Sequence, residues 1–488
     1  MRHHQLEKHM HRIKGDRLEM KKPIILFVIA VLIIAATTTF VLYNDESGSG
    51  NKETKLGEVE PKPFYVGVTY GGESAEEAKQ LIDKAKNYTN LFVLQSGGLQ
   101  SYPEKINEIC NYAASSGLQF IIYFDCFRAS LFRNWLKTCE GQWGDWLLGI
   151  YFGDEMGGKM LDSQVSFMGP NGEISKMTNR STSCYLPDDS RCVFHPDGTI
   201  IVTSLEYDKE TETTTRTSVT YYTDGTVTAQ LQEGENAPTP LDDYKITYTR
   251  EELWNMRPFQ SYDQTVEMFT TEYSRRLASG PKNESVTAFT SDYALHWFDY
   301  KAGYDVILAQ FGWNHTLEQD MALVRGAANL QNKTWGTIIT WKYNQPPYLD
   351  SGEAIYDQMC TAYETGAKYA VLFNYSEDME GPYGTLQEEH FTALERFWNE
   401  VVQSPEVKQG SLEAEAVLVL PENYGWGMRS PNDSIWGIWE PDEKSPHIWQ
   451  LSRNLIEQYG FGLDIVYDDP EIPVEGKYPK IYYWNHTS

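Results

Sequence analysis

The chain repeats one pattern eight times: a short run of apolar, β-branched and aromatic residues, usually followed by a segment with helical spacing of apolar residues. Runs of such continuous hydrophobicity are typical of parallel strands that are buried on both faces, with helices packed outside. We therefore predict an α/β fold, a (β/α)8 TIM barrel, with a doubly wound sheet as the alternative. The predicted strands are Phe64–Tyr70, Asn90–Gln95, Gln119–Asp125, Leu147–Glu155, Ser285–Thr290, Asp305–Gly312, Trp335–Tyr343 and Tyr369–Tyr375.

The segments between these runs predict the outer helices of the barrel. Their apolar residues recur at intervals of three and four, as on one face of a helix. The predicted helices are Ser74–Tyr88, Pro103–Ser116, Ala129–Thr138, Ser261–Leu277, a short one near His296–Gly303, Leu317–Asn329, Gly352–Thr365 and Gln387–Val401.

Residues 158–250 interrupt this rhythm with Thr- and Tyr-rich alternation and the turn signals PNGE, PDGT and TDGT. Asn-Gly and Asp-Gly between alternating runs favour hairpins, so we expect residues 200–209 and 217–232 to pair as antiparallel strands. Because the segment follows the fourth strand, we predict a β-rich insertion that emerges from the fourth βα loop, over the catalytic face of the barrel.

The chain changes pattern again after the barrel, which we place at residues 63–402. Residues 412–488 contain the apolar run AVLVLP, a helical segment from His447 to Tyr459, and the runs LDIVYDD and KIYYWN. This order predicts a small C-terminal α/β domain of flavodoxin type.

The N-terminal region has the pattern of a membrane anchor. Residues 1–22 carry seven Lys and Arg against three acidic residues, and residues 23–43 carry no charge. Twenty-one such residues are long enough to cross a bilayer, and the flanking cations hold the N-terminus in the cytoplasm. We predict a single-pass signal anchor in the cell membrane, a linker at 44–62 and an extracellular remainder. The alternative is a cleaved signal peptide and a secreted protein.

Charge, sequons and cysteines limit the partners further. The net charge of −28 argues against a nucleic-acid surface, and eight Asn-x-Ser/Thr sequons fit an exported glycoprotein.

Cys184 and Cys192, in a turn-rich segment, are the best disulfide candidates, whereas Cys110 and Cys360 fall within helical segments as small hydrophobic residues. The Cys and His spacings indicate no metal site, and we expect no cofactor.

The ends of the predicted strands carry carboxylates, amides and aromatic side chains. In barrel enzymes the C-terminal ends of the strands build the site. Carboxylates and amides bind hydroxyl groups and indole rings stack on sugar rings, so this mixture fits a polyhydroxylated ligand, a carbohydrate. The predicted substrate-binding residues are Tyr70, Gln95, Tyr123, Asp125, Gln310, Trp313, Trp341, Lys342, Asn344 and Asn374.

The organisation resembles that of glycoside hydrolases with a (β/α)8 barrel, in which an acidic residue at the end of the fourth strand is the proton donor. The resemblance covers residues 63–402, and 412–488 is similar to the flavodoxin-like domain that follows the barrel in some β-galactosidase-type enzymes. It implies a glycosidase that acts on a poly- or oligosaccharide, and the predicted anchor makes this enzyme extracellular and membrane-anchored. One departure is that Lys342 and Asn344 stand where the largest clan of such enzymes has a second Glu; the next acid is Asp350.

The fourth strand ends in Gly153, Asp154 and Glu155, and two adjacent acids there are costly without a role. We predict that Glu155 donates the proton and that Asp154 raises its pKa by like-charge repulsion. Glycoside cleavage needs a second carboxylate, about 5–5.5 Å away for retention or about 6.5–9.5 Å for inversion. Glu377 is the first candidate and Asp292 the second.

Several of the predicted site residues also fit a purely structural role, which we keep as an alternative. Asp125 fits equally as a helix cap or as a partner of Arg128, and Trp313 and Trp341 as packing at the rim. Lys342 fits as an ion-pair partner of Asp292 or Glu377. The alternative function is therefore a catalytically inactive glycan-binding or cell-surface structural protein on the same barrel.

Overall fold

The structure of the protein, a computed structural model, describes residues 64–139, 141–168, 174–312, 316–343, 345–375, 383–403, 406 and 408–485. Its centre is a closed barrel of eight parallel strands, in which the first strand pairs with both the second and the eighth. The predicted barrel is confirmed, and the doubly wound alternative is wrong. The strands are Tyr65–Tyr70, Leu91–Leu94, Gln119–Phe124, Leu147–Phe152, Ala288–Asp292, Val306–Phe311, Thr334–Ile339 and Tyr369–Leu372.

Helices surround the barrel. Several begin where the sequence supplies a cap: the side chains of Ser74, Ser261 and Ser351 each accept a hydrogen bond from a backbone N–H of the following first turn. The eight outer helices are Ala75–Ala85, Pro103–Ser115, Ala129–Cys139, Tyr262–Ala278, His296–Ala302, Leu317–Leu330, Gly352–Glu364 and Glu388–Phe397, the last continued by a π-helical turn, Trp398–Val402.

Side chains alternate between the inside and the outside of the barrel. In the first strand Tyr65 lies in the interior cluster, with Val93 and Phe289 of other strands. Val66 and Tyr70 lie instead in the layer between strands and helices. Because this alternation has a period of two, only every second residue at a strand end can reach the mouth of the barrel.

All eight predicted strands differ in their bounds from the observed ones by one to four residues, and two of the differences have a clear local cause. The fifth begins at Ala288 rather than Ser285, because a 3-10 turn, Pro281–Glu284, ends with Ser285 in the left-handed region (φ 56°). The seventh ends at Ile339 rather than Tyr343, because the N–H groups of Lys342 and Tyr343 donate to the carbonyl of Tyr348 within their own loop. Residues that were predicted to lie at the ends of these two strands therefore lie in the neighbouring turn or loop.

The insertion after the fourth strand is an eight-stranded antiparallel sheet with its strands in chain order. The expected hairpins are present, and Asp197-Gly198 and Asp224-Gly225 form two of their turns, with both glycines at positive φ (84° and 89°). The strands are Val165–Met168, Ile174–Thr178, Ser181–Tyr185, Arg191–Phe194, Ile200–Asp208, Thr213–Tyr221, Val227–Glu233 and Thr239–Pro240. Two short helices flank the sheet, Met156–Leu161 before it and Arg250–Asn255 after it.

The C-terminal region forms a small parallel sheet of three strands, with Ala416–Leu420 between Leu463–Tyr467 and Lys480–Tyr483. Helix Ser445–Tyr459 connects the first two strands in sequence. This strand order, 2-1-3, is that of the start of a flavodoxin-type sheet. A small α/β domain therefore follows the barrel, as the sequence predicts.

A buried ion pair holds this sheet against the barrel. Arg325, on the barrel helix Leu317–Leu330, donates from Nε to Asp464 Oδ1 at 2.7 Å, and the two side chains are 3% and 0% exposed. A second guanidinium nitrogen donates to the carbonyls of Phe461 (2.6 Å) and Leu463 (3.0 Å). The remaining guanidinium nitrogen donates to the carbonyl of Leu412 at 3.3 Å, so one side chain of the barrel satisfies four acceptors of the C-terminal region.

The predicted anchor at 23–43 and its flanks lie outside the described residues, among which no helix is long and apolar enough to cross a membrane. Cys184 and Cys192 lie directly opposite each other on neighbouring strands, but both thiols are free, so the expected disulfide is absent from this structure. Cys110 is buried, as expected, and Cys360 is half-buried.

Candidate active site

A sharp turn brings the two acids of the fourth strand to the mouth of the barrel. Gly153 has φ 83°, and a Cβ atom there would lie 2.9 Å from Cys126 Sγ, so glycine is required. Glu155 is also in the left-handed region (φ 58°), and its N–H donates to the carbonyl of Ser291 at 2.9 Å. The turn ends the strand and joins its last residues to the neighbouring fifth strand.

Asp154 accepts hydrogen bonds from two hydroxyl groups. Its Oδ1 is the acceptor for Tyr151 and, at 2.9 Å, for Ser291. Gln95 extends the network, because its side-chain amide donates to the Tyr151 hydroxyl at 3.4 Å. Both hydroxyls donate to the same oxygen of Asp154, which fixes the orientation of its side chain.

Glu155 lies beside this network and is less fully bound. Gln310 donates from Nε2 to Glu155 Oε1 at 2.8 Å and lies 3.0 Å from the Ser291 hydroxyl, while Lys159 Nζ is 3.8 Å from Oε2. The Glu155 side chain is 24% exposed, so a ligand in the mouth can reach it. Burial, and then the charge of Asp154, raises the pKa of Glu155, against the opposing effects of Gln310 and Lys159.

Three of the predicted binding residues lie with the two acids. Gln95 and Gln310 are in the hydrogen-bonded network, and Tyr123 packs edge-on against Tyr151, with ring centroids 5.3 Å apart. Burial, and then the charge of Asp154, raises the pKa of Tyr123, so its hydroxyl stays protonated at neutral pH. The inner faces of strands two, three, four and six therefore meet at one place.

Two predicted residues point away from the mouth. The hydroxyl of Tyr70 lies 2.8 Å from the carbonyl of Ser74, in the layer between strands and helices. Asn374 is buried, and its Oδ1 accepts from the N–H of Thr385 at 3.1 Å. Both residues stand at strand ends, at positions whose side chains point out of the barrel, so neither is placed to bind a ligand in the mouth. The sequence-based prediction had not taken this alternation into account.

Asp125 and Lys342 have structural partners. Asp125 caps the 3-10 turn Cys126–Arg128, since its Oδ1 accepts from the N–H of Phe127 at 2.9 Å. Lys342 pairs with Asp350 at 2.7 Å, within its own loop, and not with Asp292 as one interpretation had it. Trp313, Asn344 and Glu377 lie outside the described residues.

Asp292, the second candidate for the partner carboxylate, is fully buried. Both of its oxygens accept backbone N–H groups, from Gly157 and Gly158 on one side and from Tyr293 and Ala294 on the other. Because it points out of the barrel between the fourth and fifth βα loops, it does not face Glu155 across the mouth.

Neither a protein-family model nor a curated protein matches this chain. The described parts of the chain also contain no group of three or more His, Cys, Asp or Glu residues that could hold a metal ion. The interpretation of the site therefore rests on its geometry and chemistry.

Aromatic side chains form a wall at the ends of the seventh and eighth strands. The ring of Trp341 lies 5.1 Å from that of Tyr348 and 6.0 Å from those of Phe373 and Tyr375, between centroids. Lys342 and Asp350, together with Tyr343, line an adjacent open cavity of about 770 Å³. An aromatic wall beside polar side chains is a surface on which a sugar ring can stack.

The sequence analysis missed two residues of the network, Tyr151 and Ser291. Tyr151 lies inside the barrel, three residues before Asp154. Its place in the fourth strand could have been used to predict this, because side chains alternate along a strand and that of Tyr151 points inward. Ser291 was missed because the fifth strand was predicted to end at Thr290. Corrected bounds for that strand place Ser291 inward and Asp292 outward.

Proposed function

We propose that this protein is a glycoside hydrolase that acts on a poly- or oligosaccharide, with Glu155 as the general acid. The observation that carries the proposal is the environment of Glu155. This carboxyl group is partly exposed in the mouth of the barrel, its pKa is raised, and an oriented second carboxylate, Asp154, is its neighbour. A raised pKa enlarges the fraction of the carboxyl group that is protonated at a given pH, and proton donation to a leaving group requires the protonated form.

The neighbours of Glu155 suit a group that loses a proton during the reaction. As the glycosidic C–O bond breaks, Glu155 gives its proton to the leaving oxygen and becomes negatively charged, while the partner carboxylate, or a water that it activates, forms the new bond to the anomeric carbon. The Gln310 amide and the Lys159 ammonium then stabilise that charge. Asp154 lies beside the sugar ring in this scheme, where a carboxylate stabilises the positive charge that develops at the anomeric centre.

The binding surface of the proposal consists of the amides and the aromatic wall. The Gln95 Oε1 atom is buried and has no hydrogen-bond partner among the described residues, so a rotation of this side chain toward the mouth would give a sugar hydroxyl a free acceptor. Trp341 offers a ring face for stacking. Glu377 remains the proposed partner carboxylate, because the oxygens of Asp292 are engaged by backbone amides.

Asp154→Asn tests the proposed division of roles between the two acids. Asn keeps an acceptor oxygen for Tyr151 and Ser291 but removes the charge, so the loss of activity should be smaller than for Glu155→Gln. Activity requires protonated Glu155 and is lost as pH rises through its pKa. Without the repulsion from Asp154 that pKa falls, so the alkaline limb of kcat/KM against pH should move to lower pH. An alkaline limb at the same pH as in the parent would contradict the roles proposed for Asp154 and Glu155.

A catalytically inactive glycan-binding protein is the second candidate. The observation in its favour is the ion pair of Lys342 with Asp350, at the strand end where the largest clan of barrel glycosidases has a Glu. Such a protein would bind glycans through Trp341 and the amides without releasing new reducing ends. Assays of binding and of hydrolysis on the same polysaccharides separate the two functions.

We further propose that the barrel is extracytoplasmic and tethered by the apolar segment at 23–43, because positive charge precedes that segment. Protease added to intact cells should then remove the barrel, whereas a cytoplasmic marker protein stays intact. Full protection of the barrel, with cleavage after lysis, would contradict this topology.

A further inference from the structure

The helix that follows Glu155 begins without a cap from its own segment. Helix Met156–Leu161 has Glu155 at its N-cap position, but the Glu155 side chain makes no capping hydrogen bond, and its Oε1 is bound by Gln310 instead. The first N–H groups of a helix have no acceptor within the helix. Those of Gly157 and Gly158 belong to buried residues, so their acceptor must come from another part of the chain.

Asp292 supplies that acceptor. Its Oδ2 accepts from the N–H of Gly157 at 2.6 Å, and its Oδ1 from that of Gly158 at 2.8 Å. Oδ1 also accepts from the N–H groups of Tyr293 (2.8 Å) and Ala294 (3.2 Å). One carboxylate therefore joins the helix after the fourth strand to the loop after the fifth.

The two glycines make this contact possible. A Cβ atom at Gly157 would lie 2.5 Å from the carbonyl oxygen of Ala294, and one at Gly158 would lie 2.1 Å from the ring of Tyr293. Any larger residue would push the helix away from the loop. The start of the helix is thus packed directly on the loop that Asp292 holds.

A second buried carboxyl group, Asp299, indicates which acid carries the charge. Asp299 is also fully buried, and among the described side chains it shares a hydrogen bond with Asp292 alone. Burial, the charge of Asp292 and a hydrogen bond with it raise the pKa of Asp299 well above its usual range. Burial and the charge of Glu155 raise the pKa of Asp292 to about 7, against the opposing effect of the Gly158 and Gly157 amides. Four N–H donors favour an ionised Asp292, which leaves the proton on Asp299.

We infer that Asp292 is a positioning residue for Glu155: it caps the helix in place of the N-cap side chain, and so leaves the Glu155 carboxyl group free for Gln310 and the ligand. The negative charge of Asp292 also suits the start of a helix, where the backbone dipole is positive. The catalytic consequence rests on the proposed function of Glu155, whereas the anchoring itself does not.

Asp292→Asn and Asp299→Asn, made in the full chain, form a matched pair of buried isosteric changes. Asn at 292 replaces one acceptor oxygen by an NH₂ group, which cannot accept from an amide. Asn at 299 leaves all four bonds in place. Hydrogen exchange of the peptide 155–162, referenced to helix Leu317–Leu330, should be at least about tenfold faster in Asp292→Asn and within about twofold of the parent in Asp299→Asn. Equal exchange in Asp292→Asn and the parent would overturn the anchoring, with or without any hydrolytic activity.

The second arm measures the release of reducing ends from an unactivated polysaccharide that the parent hydrolyses. In Asp292→Asn, kcat should fall about a hundredfold with KM changed less than about threefold, because Glu155 is displaced and the binding surface is not. Asp299→Asn should keep the parent kcat. If Asp292→Asn does not fold, Gly157→Ala, which keeps the charge but displaces the helix start, should show the same loss of kcat. If the variant that folds has the same kcat as the parent, Asp292 does not position Glu155. If the parent protein itself shows no turnover, the result counts against the proposed function alone.

Discussion

Replacing Glu155 by Gln should slow the hydrolysis of an unactivated glycan by about 10²- to 10⁴-fold, with little change in binding. Gln has nearly the same shape and keeps a hydrogen-bond acceptor, but it has no titratable proton for the leaving oxygen. The effect should therefore appear in kcat and not in KM, measured as reducing ends released from a soluble polysaccharide.

The loss should depend on the leaving group. A 4-nitrophenolate departs with little protonation, so on 4-nitrophenyl glycosides the effect of Glu155→Gln should shrink to less than about tenfold. The matched control is Glu108→Gln, on an exposed helix face where Glu108 pairs with Lys79; it should leave both rates unchanged. Equal losses on the two substrate classes would point to a structural role of Glu155 and against proton donation.

Arg325→Met should destabilise the protein by about 3–5 kcal/mol, the typical cost of removing one partner of a buried ion pair. Without the guanidinium, Asp464 is a buried carboxylate with only neutral side-chain donors left, the hydroxyl of Tyr478 at 2.8 Å and the amide of Asn329. The carbonyls of Phe461 and Leu463 lose their donor as well. Urea unfolding, followed by tryptophan fluorescence, measures the change in free energy of unfolding.

An exposed ion pair provides the control for this change. Arg396 pairs with Glu353, which is 71% exposed, so Arg396→Ala should cost less than about 1 kcal/mol. The double variant Arg325→Met with Asp464→Leu should recover much of the loss, because no unpaired charge is left buried. If Arg325→Met costs no more than Arg396→Ala, the ion pair does not hold the C-terminal sheet to the barrel.

Most of the fold could be predicted from the sequence because burial on both faces gives a barrel strand a continuous apolar run. Val306–Phe311 is such a run, and its neighbours along the chain have the same character. The ends of strands were less predictable. Ser285 has a residue type that suits a strand, but its backbone follows a 3-10 turn in the left-handed region, and nothing in the local pattern indicates this.

The candidate site could be predicted only in part, because chemistry at a strand end does not reveal direction. Gln95 and Gln310 point inward and Tyr70 and Asn374 outward, although all four were chosen by the same criterion. A strict count of the alternation would have separated them, given correct strand bounds. The capping role of Asp292 depends on a contact across 134 and 135 residues of chain, which a single sequence does not encode in any local pattern.

The most direct test of the central claim is release of new reducing ends from a broad panel of polysaccharides and 4-nitrophenyl glycosides by the full chain, with Glu155→Gln and Glu108→Gln assayed in parallel. We expect the parent and Glu108→Gln to hydrolyse the same polysaccharide at equal rates and Glu155→Gln to lose at least about 99% of that rate. Hydrolysis that survives Glu155→Gln unchanged would contradict the assignment of the proton donor. Binding to a polysaccharide without any hydrolysis by the parent across the panel would contradict the enzyme and leave the glycan-binding function.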